Sequence, residues 1–320
     1  AGSIGVNSAY FLAKSGAKVT LLDKADVCAG ASWGNAGLIG HGIPLPSPGV
    51  VWQGIRWMLN PDSPFYIKPR LNLELWSWLW RFRAACTEKQ LRKGCQILRS
   101  LSEKSMELYE SFHDMRDFDF SFEKNGVMIL YTSDTGHRDG LEEAKLLRSL
   151  GLVVEDFDRT TLIEKLGDTE TSAIAGTYLP RDAQLSPADF VTGLALKAKD
   201  RGVEIKTHTE VQGFECQGRR VVGVQTSKGV ERADEIVLAA GSWSPGVARS
   251  LDLRLPIQPA KGYSVTYERP ANAPKLPLML AEAKTSLTPM GAMLRIGGGL
   301  ELSGMDLSIN TRRVNAMLAS

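Results

Sequence analysis

The 320-residue sequence predicts an α/β chain, α+β overall, with a nucleotide-binding unit and a second unit built on a large mixed or antiparallel sheet. Three observations carry this. Gly2-Ser3-Ile4-Gly5 opens an amphipathic helical pattern, and a short apolar strand pattern follows, ending at Asp23. Residues 203–241 and 256–302 read as strands separated by glycine turns. The composition, 43% hydrophobic and 23% charged, is that of a globular chain with a sizeable core, which excludes disorder and collagen-like repeats.

The elements follow in order. Val6, Ala9, Tyr10 and Ala13 fall on one face of a helix over 4–15, and Gly16 ends it. Lys18–Asp23 is a short buried strand. Residues 26–49, rich in Gly, Pro and Ser, predict loop, and helices fill most of 71–113. A strand at Val127–Tyr131 precedes a helix at 139–149. Ser186-Pro187-Ala188-Asp189 starts a helix, with serine as cap, proline in the first turn and an acid where a capping box places one. Strands are expected at Val203–Lys206, Val211–Cys216, Val221–Thr226 and 235–241, the last apolar and ending at Gly241.

Several function classes drop out on composition. A net charge of +2 gives no field for nucleic acid. Cys28, Cys86, Cys95 and Cys216 are scattered, which fits a reducing, cytoplasmic compartment, and His41, His113, His137 and His208 have no metal-ligand spacing. No apolar stretch approaches the roughly 18–20 residues of a spanning helix. Charge is uneven, however. Residues 51–100 hold nine Lys/Arg against three acids, and five of the seven tryptophans. That segment is either a helical layer with a solvated basic face or a surface that docks peripherally on the inner face of an anionic plasma membrane.

The opening carries chemistry. Gly2 lets a backbone approach a pyrophosphate, and Gly5 lets helix and strand pack closely. The helix N-terminus offers free N–H groups, and Asp23, eighteen residues after Gly5, suits ribose hydroxyls. This is the back part of a G-x-G-x-x-G fingerprint of Rossmann type. Its first glycine and strand are expected before residue 1. A second small-residue loop, Ala29–Gly37, offers Ser32 and Asn35 to a planar polar ligand, and Val237–Trp243 supplies another glycine turn.

These segments, with Pro259–Ser264 and Leu294–Gly298 followed by Glu301, resemble the FAD-dependent oxidoreductases of the D-amino acid oxidase superfamily, and among them its dehydrogenases. The resemblance implies a Rossmann-like FAD-binding domain (1–45 and 185–260) interleaved with a substrate domain (46–184 and 261–304), 305–320 opening a further FAD-binding segment. It places Gly2, Ser3, Ile4 and Gly5 at the FAD pyrophosphate, and Asp23 and Lys24 at the adenosine ribose. Ser32, Asn35, Ala36 and Gly37 lie towards the flavin, Val211 at the adenine, and Ala240, Gly241 and Trp243 along the dinucleotide. Nothing after Asn310 resembles the family's closing glycine-rich segment, so further chain is expected there too.

The implied reaction is oxidative deamination of D-amino acids to 2-oxo acids and ammonia, with electrons passed to a quinone or carrier protein. Tyr263 and Arg295 are the candidate substrate-site residues, the guanidinium for a carboxylate. Pro289 stands where many relatives carry a carboxylate-binding arginine. Lys261 either faces the flavin or solvates a turn. His41 follows the loop near which some relatives attach flavin covalently, and Cys28 reads as buried and inert. Two alternatives stay open: an oxidase or dehydrogenase of glycine, sarcosine or D-hydroxyproline, and a nucleotide-binding fragment or subunit without catalysis.

Overall fold

The computed structural model describes residues 1–40, 42, 44, 46–58, 60, 63–115 and 117–320. In chain order these form α1 (Ser3–Lys14), β1 (Thr20–Leu22), α2 (Ala31–Gly34), β2 (Leu38–Ile39), α3 (Val50–Met58) and β3 (Phe65–Ile67). Next come α4 (Leu73–Ala85), α5 (Glu88–His113), β4 (Val127–Tyr131), α6 (Asp134–Ser149), β5 (Glu155–Asp158), α7 (Arg159–Leu166), β6 (Ala175–Leu179) and β7 (Ala183–Gln184). Then α8 (Pro187–Asp200), β8 (Glu204–Lys206), β9 (Val211–Gln217), β10 (Arg220–Thr226), β11 (Gly229–Arg232) and α9 (Ser244–Ala248). The chain closes with β12 (Lys261–Glu268), β13 (Leu278–Leu280), β14 (Thr285–Met290), β15 (Met293–Leu302) and α10 (Thr311–Leu318).

Side-chain caps set many helix starts. Asn72 accepts from the N–H groups of Glu74 and Leu75, Thr87 from Gln90, and Asp158 from Thr161. Ser133 accepts from Gly136 N–H, with Asp134 in the first turn, so α6 begins five residues before the expected 139. The predicted 26–49 loop holds the short α2 and β2.

The chain divides into two compact units. The first comprises Ala1–Asn35, Asp117–Phe120 and Pro187–Pro259; the rest is the second. Residues 36–40 and 305–320 thus fall in the second unit, a different line from the expected one. Aromatic packing explains why four mid-chain residues join the first. Phe118 stacks on Phe190 of α8 at 5.8 Å, Phe120 meets the same ring edge-on at 5.2 Å, and Gly193 leaves room for Phe118.

In the first unit β1 and β8 pair in parallel, and β9, β10 and β11 form an antiparallel meander. The expected strand at 235–241 does not form. A strand exists only through a ladder partner, and among the described residues nothing pairs with 235–240. Val237 and Leu238 of this apolar run are 59% and 38% exposed. Ala239 still lies close beneath α1, as the geometry at Gly5 shows below.

The second unit carries an eight-stranded mixed sheet, ordered β12-β15-β14-β13-β4-β6-β5, with β3 added in parallel to β15. Its core follows strand alternation. On one face Met128, Leu130, Tyr178 and Leu278 pack with Leu162 and Leu166 of α7. On the other, Ile129 and Leu179 meet Ala144 and Leu147 of α6. Each fully buried side chain of this kind stabilises by about 1.5–3 kcal/mol, so this sheet anchors the unit.

Candidate cofactor and active site

In the first unit, α1 begins without a side-chain cap and without an acid in its first turn. Its first turn therefore carries the positive end of the helix dipole with no capping side chain of its own, a setting for an anion. The Gly2 backbone is extended, and a Cβ there would lie 3.0 Å from Ser32 Oγ. Ser3 N–H donates to that same Ser32 oxygen at 2.9 Å, tying the two small-residue loops together. Asn35 Nδ2 donates to Ser32 O at 2.8 Å. Ile4 is exposed.

Gly5 packs as the sequence implies, with a difference of degree. A Cβ at Gly5 would sit 3.5 Å from Leu21 Cδ1 and 3.7 Å from Ala239 Cβ, both ordinary contacts. A methyl group fits.

Asp23 follows β1. Its carboxylate accepts from Ala25 N–H at 2.9 Å. Thr209 N–H donates to Asp23 O at 2.8 Å, which brings the start of β9, Val211, into the neighbourhood. The Lys24 ammonium lies 4.5 Å over the Trp243 ring, and Gly30 lies beside that ring. Trp243 ends a 3-10 turn that follows Ala240, with Gly241 at φ +53°. Gly2, Ser3, Asp23, Lys24, Ser32, Asn35 and Trp243 are thus brought together by contacts within one unit. An uncapped helix, a cradle a Cβ would fill and a carboxylate past the strand suit the pyrophosphate and ribose of a dinucleotide.

Ala36 and Gly37 fall in the second unit. Gly37, at φ +68°, accepts Leu185 N–H through its carbonyl, next to the β2–β7 ladder. His41 lies outside the described residues.

Tyr263 and Arg295 sit on neighbouring strands of the large sheet, β12 and β15. Tyr263 is expected from the sequence at the substrate site. The structure gives its single O–H to Glu301 Oε2 at 2.8 Å, and its oxygen accepts Asn310 N–H at 3.3 Å. Burial, then the Glu301 carboxylate, pushes the Tyr263 pKa up, so the hydroxyl stays protonated and donating at neutral pH. Lys261 belongs to the same network, since its ammonium donates to Ser308 O at 2.7 Å and lies 3.6 Å from Glu301. Glu301 is only 5% exposed, so the three residues form a locked cluster at the end of the sheet.

Arg295 is 4% exposed, and its Nε donates to Thr266 Oγ1 at 3.0 Å across the ladder. Fully buried Thr288 stands opposite it on β14, next to Pro289. Arg295 is thus buried on β15, with its Nε turned towards β12. A cavity of about 80 Å3 beside Tyr263 is lined by Ser63, Thr285, Gly298, Arg313 and Met317 among others.

Sequence reasoning missed the partners: Thr209 for Asp23, Thr266 for Arg295 and Glu301 for Tyr263. Glu301 left one signal, the single acid of a glycine-rich strand whose other charged residue is Arg295.

The fold and the dinucleotide-shaped loops define a flavin-dependent oxidoreductase, and the chain belongs to the DAO family of FAD dependent oxidoreductases, matched over residues 1–320. Its cofactor is FAD, and it moves electrons from a small-molecule substrate to an acceptor. Among its relatives, the D-amino acid dehydrogenase of Phenylobacterium zucineum is 32% identical over 322 residues, covering 98% of this chain and 75% of the relative. That of Granulibacter bethesdensis is 29% identical over 320 residues, covering 98% and 77%. The glycine oxidase of Bacillus cereus superposes with a TM-score of 0.72 at 20% identity, covering 99% of this chain and 74% of that one. At that identity the likeness shows the fold.

Proposed function

We propose that this protein oxidises D-amino acids to 2-imino acids, which water hydrolyses to 2-oxo acids and ammonia, and that the electrons pass to a quinone or carrier rather than to oxygen. The observation that carries this reading is the pair of relatives named D-amino acid dehydrogenase, matched along 98% of the chain. Bound FAD supplies the two-electron acceptor for the Cα hydride. The chain's own part is placement. The N-terminus of α1, with Gly2 and Ser3, holds the pyrophosphate; Asp23 and Lys24 hold the adenosine end; Ser32 couples the two loops. No nucleophile is needed, because orientation and electrostatics account for the rate.

The test is steady-state dye reduction by the FAD-loaded protein with D-alanine and larger D-amino acids, L-enantiomers as controls and peroxide measured alongside. Reduction with D-forms and little peroxide is the expected result. Turnover of L-forms only, or stoichiometric peroxide, overturns it. A second reading is a related oxidase or dehydrogenase of glycine, sarcosine or D-hydroxyproline, which Pro289 leaves open. Turnover of these in preference to D-alanine selects it.

A further inference from the structure

On the large sheet, Tyr263 and Arg295 point to opposite faces. Tyr263, Gly298 and Thr285 are direct cross-strand neighbours, as are Thr266, Arg295 and Thr288, and the two rows stand three residues apart on each strand. Strand alternation therefore puts them on different sides. The cavity of about 80 Å3 lies on the Tyr263 side, between the glycine run of β15 and α10. Glycine keeps its floor open, since a Cβ at Gly298 would sit 3.0 Å from Lys284 O and 3.3 Å from Met317 Cγ. Pro64, Ala283, Ala316 and Met317 give apolar walls, and Arg313 is the one charged lining residue among those described. Its guanidinium is held from two directions. Nη1 donates to Ser63 O at 2.9 Å, and the group lies 4.5 Å over the Tyr66 ring. Ser63 is itself tied, its Oγ donating to Phe65 O at 2.7 Å. Among the described residues no carboxylate pairs with Arg313, and no protein acceptor meets its Nε or Nη2.

We infer that this cavity binds a short-chain monocarboxylate, its carboxylate on the unpaired donors of Arg313 and its carbon chain against Ala316, Met317 and the Gly298–Gly299 floor. Arg313 is oriented before any ligand arrives, so little rotamer freedom is left to lose on binding. A planar guanidinium edge with two donors matches the two oxygens of a carboxylate. Phosphate brings a second charge and further oxygens, and the lining holds no second cation for them. By the same measure of volume one water takes about 10–15 Å3, so the space suits a molecule of about five to eight heavy atoms. The Glu301 carboxylate beside Tyr263 is not a bare charge, since Tyr263 donates to it and the Lys261 ammonium lies 3.6 Å away. The site is distinct from any substrate contact on the Arg295 face. The inference is independent of the substrate reading, since binding is read without turnover.

The experiment is hydrogen exchange of the FAD-loaded full chain with sodium propionate, against propionamide and inorganic phosphate at matched ionic strength. Propionate should slow the amides of α10 and of residues 63–66 and 297–299 in a saturable way. Propionamide, which has the shape without the charge, and phosphate should leave them unchanged. Arg313→Gln should weaken the response roughly tenfold or more, the loss of a hydrogen-bonded charge pair. Ala316→Leu fills the cavity without touching Arg313 and should abolish the response. Leucine is a good helix former, so exchange of α10 without propionate stays at the wild-type rate and separates lost binding from lost folding. Both variants should keep wild-type kcat/KM in dye reduction with D-alanine. A protein that binds propionate here and does not turn over D-alanine fails the substrate reading alone. Absence of any slowing by propionate overturns the inference, as does equal protection by propionamide or phosphate. So does a response that survives both substitutions, or a fall in kcat/KM that accompanies lost propionate binding, which places the substrate itself in this cavity.

Discussion

At the scale of the residue, Gly5 and Tyr263 separate packing from ligand contact. Gly5→Ala adds a methyl at ordinary contact distance from Leu21 and Ala239, inside a helix where alanine is favoured over glycine by about 0.8–1 kcal/mol. FAD binding, read by flavin fluorescence quenching, should be little changed, and the thermal midpoint should hold or rise. Gly5→Leu forces branches into that contact, at about 1–3 kcal/mol of overpacking, and should lose FAD. If alanine abolishes binding as fully as leucine, the glycine faces the ligand rather than the strand. Tyr263→Phe leaves the buried Glu301 carboxylate without its O–H donor, which costs about 1.5–3 kcal/mol for a bond to a charged group. A lower thermal midpoint with nearly unchanged kcat/KM is expected. An unchanged midpoint with a tenfold or larger fall in kcat/KM, roughly 1.4 kcal/mol of lost transition-state binding, returns Tyr263 to the substrate.

At the scale of the element, one exposed ion pair closes the parallel edge of the large sheet. Lys68 follows β3 and donates to Asp306, which follows β15, at 2.8 Å. Lys68, then Ser308, holds the Asp306 carboxyl well below the usual carboxylate range. Asp306 in turn raises Lys68. A depressed carboxylate contributes stability that is present above its unfolded value, about 3.9, and is lost as pH falls through the lower folded value. Raised Lys68 contributes below its own unfolded value and loses that at high pH. The pair therefore acts across the neutral range. A carboxyl-carbon NMR titration should find Asp306 ionised below the ordinary range, and Asp306→Asn should flatten the acid limb of stability. An ordinary titration for Asp306 removes the argument. Such pairings are what the sequence hides. Local patterns placed α1, β1, β4, α8, β9 and β10 within a few residues, because amphipathic period and capping act over one or two turns. The segment 235–240 has the apolar pattern of a strand and is none, because a ladder depends on a partner elsewhere in the chain. The glycines and Asp23 of the nucleotide loops were legible because each answers a local backbone demand. The partners of Tyr263 and Arg295 were not, since those contacts cross 38 and 29 residues.

At the scale of the whole molecule, the two units should respond differently to cofactor. A ligand that binds only the folded state stabilises by about 2.7 kcal/mol at a hundred times its dissociation constant. That energy appears first in amides that exchange by opening of the unit holding it. The contacts that suit pyrophosphate and ribose, at Gly2–Gly5, Asp23–Lys24, Ser32 and Trp243, are linked within the first unit. Hydrogen exchange on adding FAD should therefore slow at residues 2–8, 23–32 and 209–211 and around 240–243. Amides of β4 and β6, central in the second unit's sheet, should keep their rates. ADP shares the adenosine and pyrophosphate but not the ring system. It should protect residues 2–8 and 23–24 as FAD does, while protection of 33–37 should require FAD. If ADP leaves residues 2–8 untouched where FAD protects them, the N-terminus of α1 is not the pyrophosphate site. If FAD protects β4 and β6 but not the first unit, the dinucleotide reading of Gly2–Asp23 fails, and the match between this loop and its cofactor has to be sought in another part of the chain.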